Sequence, residues 1–229
     1  MRLRLGRTGV ALALVALVVG SVPGTAAGSG TARARWNTRV FASVPSPGFP
    51  AYVFRHTNGR IYAATYHGPG AAPNRDRVFE WTPGGTLLRS WAVPGQKDVN
   101  EAGVQVANQD ARGRLVLLES STASVLTLDT RTGRFRRQAV IPDVPICTKS
   151  RTSGCSPNAK DAAPVPNYAT WGPDGALYVS DYGQAVIWRI PATGGRPRIW
   201  FTSQQLDYLE FGTTGLVYQP GRNAFLVGQ

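Results

Sequence analysis

The feature that most constrains the fold is a repeated unit of short strand-like segments built around a turn glycine. Residues 167–203 form four such segments, rich in β-branched and aromatic residues and separated by turn clusters such as Gly172-Pro173-Asp174-Gly175. Related units stand before and after it, with central turn glycines at Gly59, Gly113, Gly175 and Gly221. Their spacing of roughly 45 to 60 residues is typical of propeller repeats. Four up-and-down strands in about 40 residues predict one blade, so we predict an all-β propeller.

The repeats define the predicted domain boundaries. A propeller domain is predicted for residues 35–229, with blades at about 41–95, 101–142, 166–203 and 211–229 and an insertion loop at 143–165. The fourth unit has room for two strands only, so we expect about three and a half four-stranded blades in an open arc. We also expect a C-terminally truncated form of a longer protein, because propellers close when every blade packs on two neighbours.

The N-terminal segment is typical of a secretory signal peptide. Arginines at positions 2, 4 and 7 precede an apolar run from Val10 to Val19, and small residues follow. This predicts a signal at residues 1–27, with cleavage after Ala27 or as late as Ala34. The apolar run is short for a membrane span. We therefore predict a secreted protein that has no membrane contact once the signal is removed.

The net charge of +12 is carried mainly by arginine. The arginines are scattered over predicted strands and turns, and the aromatic residues fall at strand positions. A nucleic-acid surface would instead combine a basic cluster with stacking aromatics. We predict no nucleic-acid partner and a monomeric chain.

The two cysteines, Cys147 and Cys155, both lie in the insertion loop. A close pair in an exported protein predicts a disulfide. A metal site is the competing interpretation, but no histidine lies nearby.

Two sets of polar residues mark where chemistry could occur. The predicted second strands of the four units end at Thr65, Glu119, Asp181 and Gln229. Either these side chains converge on a water-filled central channel, or the strands simply end at a polar surface. The starts of the first strands supply a second set, at 48–51, Gln105, Asn167 and Thr214.

Asn167 is the best single candidate for binding a substrate or a metal ion. Its carbonyl oxygen, with carboxylates from Asp181 and Glu119, would suit a divalent cation such as Ca²⁺, with Zn²⁺ and Mn²⁺ as alternatives. Glu101 precedes the second unit and could reach the same channel mouth. His56 and His67 have no partner at zinc spacing, and we expect them to be surface turn residues.

Several enzyme classes lack their motifs in this chain. No G-x-S-x-G nucleophile turn is present. No Walker-type phosphate loop and no G-x-G-x-x-G opening a helix occurs either, which argues against a nucleotide enzyme.

The stretch from Pro166 to Asp181 resembles the SMP-30/gluconolactonase/LRE-like family. Those proteins have a similar P-N-G-x-x-(aromatic)-x-P-D-G-x-L-Y-V-x-D pattern, and the resemblance loosely covers residues 41–229, with the secreted actinobacterial members the most similar. It implies a six-bladed propeller and a divalent-metal-dependent lactonase with Glu, Asn and Asp ligands. Asn167 matches one family asparagine. Gly48-Phe49-Pro50-Ala51-Tyr52 stands where the family has its first-blade Glu, and Thr214-Gly215-Leu216 replaces Asn-Gly-Leu.

These observations give two main hypotheses. The first is a metal-dependent hydrolase of lactones or related esters, in which Asn167 and Asp181 bind substrate or metal and Glu101 or Glu119 is the catalytic group. The second is a non-catalytic propeller that binds a ligand or a protein at its channel mouth. A streptogramin-lyase-like or strictosidine-synthase-like activity is a third hypothesis, without a supporting motif.

Overall fold

The computed structural model describes residues 38–45, 48–68, 76–99, 101–207 and 212–228. The predicted signal peptide and Gln229 lie outside the described residues. The strands are β1 (Phe49–Arg55), β2 (Ile61–His67), β3 (Arg77–Trp81), β4 (Leu87–Ala92), β5 (Ala102–Gln109), β6 (Leu115–Glu119), β7 (Ser124–Asp129), β8 (Arg134–Val140), β9 (Pro166–Trp171), β10 (Leu177–Asp181), β11 (Val186–Ile190), β12 (Arg198–Thr202), β13 (Gly215–Gln219) and β14 (Ala224–Gly228).

The strands form three four-stranded antiparallel blades and one two-stranded sheet. Blade 1 contains β1–β4, blade 2 contains β5–β8, and blade 3 contains β9–β12, each in up-and-down order. Strands β13 and β14 pair with each other. The prediction of an all-β, incomplete propeller is confirmed. The only helical elements among the described residues are two short 3₁₀ turns, at Gln204–Leu206 and Pro220–Arg222.

The apolar core lies between neighbouring blades. Side chains of blades 1 and 2, such as Tyr62 and Leu117, form one buried cluster. Blades 2 and 3 form a second cluster that includes Val125 and Trp188. Leu216 of β13 joins a third cluster on the far face of blade 3. Each blade therefore buries two faces, which explains why central strands such as β6 and β10 are apolar almost without interruption.

Glycine supplies the turns that the repeats predict, with one correction. Gly59, Gly113 and Gly175 have φ angles of 82°, 73° and 72°. This is the left-handed region, where a side chain is strained. In the fourth unit Gly221 lies inside a 3₁₀ turn instead, and Asn223 takes the left-handed conformation with φ of 46°. Asparagine tolerates this region better than other non-glycine residues, so the turn closes without a glycine.

The insertion between blades 2 and 3 is held by the predicted disulfide. Cys147 and Cys155 are bonded, which confirms the pairing. The loop then packs on the turn between β10 and β11: Val144 N donates to Gln184 Oε1 at 2.7 Å and Asn158 Nδ2 donates to Gly183 O at 2.8 Å. The insertion is therefore part of blade 3 rather than a free appendage. No helix among the described residues is long and apolar enough to cross a membrane.

Blades 1 and 2 are joined where β2 pairs with β5 across Tyr66 and Gly103. A Cβ added at Gly103 would lie 2.8 Å from Tyr66 Cδ2 and 3.1 Å from Tyr66 Cα. We predict that Gly103→Ala lowers the free energy of unfolding by about 1–3 kcal/mol, because the two strands must separate. Urea denaturation measures the change. Gly221→Ala, with no heavy atom within 4 Å, is the control, and equal losses in the two variants would contradict this account.

Removal of the disulfide is expected to destabilise the chain. For a loop this short, the chain-entropy estimate is about 2–3 kcal/mol. The double variant Cys147→Ser/Cys155→Ser should therefore show a lower urea midpoint than the wild type. A thiol reductant should bring the wild type to the midpoint of the variant and leave the variant unchanged. Equal midpoints without reductant would show that the loop is held by its hydrogen bonds alone.

Candidate functional site

A cavity of about 490 Å³ opens where the first strands of blades 1, 2 and 3 begin. This size is in the range of small-molecule sites. Its wall combines aromatic, amide and carboxylate side chains. The lining residues are Pro50, Ala51, Tyr52, Tyr66, Glu101, Ala102, Gly103, Gln105, Ser120, Val165, Pro166 and Tyr182.

Beside the cavity, the structure brings together four residues from the starts of first strands. Asn167 Oδ1 accepts hydrogen bonds from Gln105 Nε2 at 2.7 Å and from Tyr52 OH at 3.4 Å. Tyr52 OH also lies 3.5 Å from Thr214 O. Blades 1, 2 and 3 and strand β13 therefore meet in one polar cluster. We call Tyr52, Gln105, Asn167 and Thr214 the amide cluster.

Tyr52 is the member of this cluster that sequence reasoning missed. It has φ of 56° and sits in a bulge of β1, between Ala51 and Val53. A tyrosine in this region is strained, and such strain is concentrated at functional sites. The bulge directs the ring toward blade 3, where it packs edge-on against Tyr168 with centroids 4.4 Å apart. The local sequence does not predict the bulge, since Phe49–Arg55 has the pattern of a regular strand.

Gln105 has an unused acceptor. Its amide nitrogen donates to Asn167, but its carbonyl oxygen is buried and has no hydrogen-bond partner among the described residues. A buried acceptor without a donor costs about 1–3 kcal/mol. Gln105 lines the cavity, but this oxygen is itself covered. A rotation of the Gln105 side chain would let a hydroxyl or N–H group of a bound molecule donate to it.

Glu101 places a carboxylate on the same wall. It is exposed, and its Oε1 accepts a hydrogen bond from Tyr66 OH. Tyr182 lies near it, and burial, reinforced by the negative charge of Glu101, raises the pKa of Tyr182. Tyr182 therefore keeps its phenolic proton at neutral pH. Tyr66 thus uses its phenolic proton on Glu101, whereas Tyr182 adds a protonated phenol to the cavity wall.

Glu119 is fully buried at the end of β6 and is used to close the turn to β7. Its carboxylate accepts from Ser121 N at 2.7 Å and Thr122 N at 3.1 Å, and from both hydroxyls of those residues. The turn ends at Ala123, which has φ of 50°. Since both oxygens are already occupied by internal donors, these bonds give Glu119 a structural role.

Asp181 has the corresponding position in blade 3. It accepts from Val165 N at 2.9 Å, Gln184 N at 3.1 Å, Gln184 Nε2 at 2.8 Å and Trp188 Nε1 at 3.0 Å. The following turn ends at Ala185, with φ of 53°. Burial raises the pKa of Asp181, and the four donors oppose that rise. The aspartate links the insertion, the turn and β11.

The predicted divalent metal site does not fit these donors. Glu119 and Asp181 are saturated by hydrogen bonds, and Asn167 Oδ1 already accepts two. No group of three or more His, Cys, Asp or Glu side chains suited to a metal occurs within the described ranges. Of the described residues that line the cavity, Glu101 alone offers an exposed carboxylate, and hard cations require several oxygens.

The expectation that both histidines are surface residues is wrong. His56 and His67 are 7% and 6% exposed. His67 Nδ1 lies 2.8 Å from Asp76 Oδ2, and its Nε2 lies 3.1 Å from Val99 O. Both ring nitrogens face oxygens, so the imidazole is held between Asp76 and the segment that leads to β5. Strand β2 continues to His67, two residues beyond the expected end at Thr65, because Tyr66 and His67 pair with Gly103 and Ala102 of β5.

Comparison with known proteins supports the fold. The sequence matches no protein-family model and no curated protein. Among solved structures, virginiamycin B lyase from Staphylococcus aureus is 14% identical with a TM-score of 0.55, covering 80% of this chain and 50% of that one. A catalytically inactive histidine-to-alanine variant of that enzyme with quinupristin is 18% identical with a TM-score of 0.51, covering 76% and 47%.

These likenesses establish the propeller fold and no more. A luciferin-regenerating enzyme is also similar, at 12% identity and a TM-score of 0.44, covering 73% of this chain and 48% of that one, which is too distant to support an argument. The chain spans about half the length of the lyase structures it matches.

The structural role of the two buried carboxylates can be tested directly. We predict that Glu119→Ala and Asp181→Ala each lower the free energy of unfolding by about 3 kcal/mol or more, because each leaves several buried donors unpaired at about 1–3 kcal/mol apiece. Glu101→Ala, which removes an exposed carboxylate, should change it by less than about 0.5 kcal/mol. Urea denaturation at neutral pH provides the measurement. If Asp181→Ala proved as stable as Glu101→Ala, the carboxylate would not be structural.

Proposed function

We propose that this chain belongs to a propeller protein that binds a small neutral or weakly polar molecule, such as a lactone or related ester, in the cavity beside the amide cluster. The observation that carries the proposal is the buried carbonyl oxygen of Gln105, which has no hydrogen-bond partner among the described residues and belongs to a residue that lines the cavity. A site that keeps an acceptor unpaired and desolvated gains affinity for a ligand that supplies the donor.

The ligand chemistry follows from the groups on the wall. Tyr52, Tyr66 and Tyr182 provide flat apolar surface and hydroxyl groups, while Gln105 supplies the acceptor. Tyr52 and Tyr66 donate their protons to Asn167 and Glu101, so Tyr182 is the phenol suited to donate to the carbonyl oxygen of an ester or lactone. The one carboxylate, Glu101, makes the site unfavourable for anions.

Enzymatic activity is the second candidate, and one contact favours it. Glu101 lies at the cavity and accepts a hydrogen bond from Tyr66. A solvent-accessible carboxylate beside a phenol is a suitable general base for hydrolysis or elimination. The similarity in fold to virginiamycin B lyase supports this class in general terms. Membership of the SMP-30/gluconolactonase/LRE-like family, suggested by the Pro166–Asp181 motif, is part of the same proposal.

The remaining sequence-based predictions stay proposals. A divalent ion at the channel mouth would need ligands besides Asn167 and Glu101, and Asp181 or Glu119 would have to give up internal bonds to contribute. Secretion is supported by the disulfide, which is typical of oxidising compartments. The absence of a nucleic-acid partner and the monomeric state remain predictions.

Calorimetric titration with quinupristin and with a sugar lactone tests the binding proposal. We expect saturable binding of at least one of them by the wild type. Gln105→Leu should weaken that binding by roughly tenfold or more, because the ligand loses its buried acceptor. The same variant also removes the bond from Gln105 Nε2 to Asn167 Oδ1, so we expect its free energy of unfolding to change by no more than about 1–3 kcal/mol, and urea denaturation checks that it is folded.

Gln109→Leu is the matched control, since Gln109 lies on the same strand at its other end. It should leave the affinity unchanged. Wild-type affinity in Gln105→Leu, or no binding of either compound, would overturn the proposal. For the enzymatic candidate, Glu101→Gln should abolish turnover of the bound compound while preserving its affinity, and unchanged turnover would exclude Glu101 as the base.

A further inference from the structure

A second cavity lies at the opposite ends of the strands that form the first one. Its volume is about 670 Å³, and its wall includes Gln109 at the end of β5 and Trp171 at the end of β9. Gln105 and Gln109 are four residues apart on one strand, so the two sites are separated by about 13 Å at roughly 3.3 Å per residue. We call this second cavity the arginine groove.

The groove carries an excess of positive charge. Arg112, Arg114 and Arg136 line it, and Asp110 is the one acidic residue among the described residues of its wall. Arg112 and Arg136 are exposed and form no ion pair within the part of the chain that the structure describes. Because Asp110 is already matched by Arg114, two arginines remain uncompensated around one concave surface.

The third arginine is held rigidly. Arg114 Nε and Nη2 each lie 2.6 Å from Asp110 Oδ2. The other oxygen of Asp110 accepts from the backbone N–H groups of Arg112 and Arg114, both at 2.9 Å. The buried Asp110 carboxylate therefore fixes the turn that carries Arg112 and Arg114. A binding surface fixed in this way loses less conformational entropy when a ligand binds.

Trp171 forms the apolar part of the groove. It is half-buried, and its Nε1 donates to Gln109 O at 2.7 Å, which holds the indole in place between blades 2 and 3. Ala111 and Ala192 lie on the same wall and leave open space around it. The groove thus combines a fixed aromatic surface with arginine donors.

From this arrangement we propose that the arginine groove is a second binding site, for a small organic oxyanion that carries a planar apolar group. Arginine recognises phosphate, sulfate and carboxylate oxygens through its planar set of donors. The volume matches a small molecule rather than an extended polymer. The groove is positively charged, whereas Glu101 in the first cavity disfavours anions. The two sites therefore select different ligands.

The test is calorimetric titration of the whole chain at constant ionic strength with three probes: phenyl phosphate, inorganic phosphate and phenol. Phenyl phosphate should bind saturably and more tightly than inorganic phosphate, because only the former uses Trp171. Phenol should bind more weakly than both. Arg112→Gln and Arg136→Gln should each weaken phenyl phosphate binding by roughly three- to tenfold.

Arg131→Gln is the control, since Arg131 is also an exposed arginine of blade 2, weakly paired with Asp129, but lies outside the groove. It should leave the affinity unchanged, and so should Gln105→Leu in the first cavity. The proposal is overturned if Arg112→Gln and Arg136→Gln bind phenyl phosphate as tightly as the wild type. It is overturned equally if all arginine variants, Arg131→Gln included, weaken binding alike, which would show a diffuse charge effect.

Discussion

Buried carboxylates at the ends of the second strands are the interactions on which the blades depend. Glu119 accepts four hydrogen bonds from the turn that follows it. Asp181 also accepts four, two of them from Gln184 in the following turn. Each turn must reverse the chain tightly enough to place an alanine in the left-handed region. That conformation is unfavourable for alanine, and the carboxylate's bonds to the turn offset its cost. In blade 3 the same aspartate also anchors the insertion and Trp188 of the core.

This use of carboxylates decides which groups remain for chemistry. The oxygens of Glu119 and Asp181 accept hydrogen bonds inside the blades, whereas the amide cluster and Glu101 lie at the first cavity. One orphaned acceptor, Gln105 Oε1, and one strained residue, Tyr52, lie there together. The unpaired acceptor and the strained residue both lower the stability of the fold, which is common at binding sites. At the other face, Asp110 repeats the structural use of a carboxylate, while Arg112 and Arg136 form no ion pair with any described residue.

The propeller could be predicted from sequence because its signals are local. Turn glycines such as Gly59 and Gly113, and alternation between short apolar strands and polar turns, depend on neighbouring residues alone. The disulfide followed from two cysteines in one loop. The site was harder to predict, because it depends on contacts between blades. A polar residue at the end of a strand, such as Asp181, gives the same sequence pattern whether its side chain faces water or accepts hydrogen bonds from a buried turn. The bulge that directs Tyr52 toward Asn167, and the burial of His67 by Asp76, have no local sequence signal.

A high-resolution crystal structure of the chain with a lactone or quinupristin bound would test the central claim most directly. The account predicts a donor of the ligand within about 3 Å of Gln105 Oε1, with all four donors on Asp181 unchanged. A ligand or metal ion held directly by Asp181 or Glu119, with the bonds to their turns broken, would contradict it.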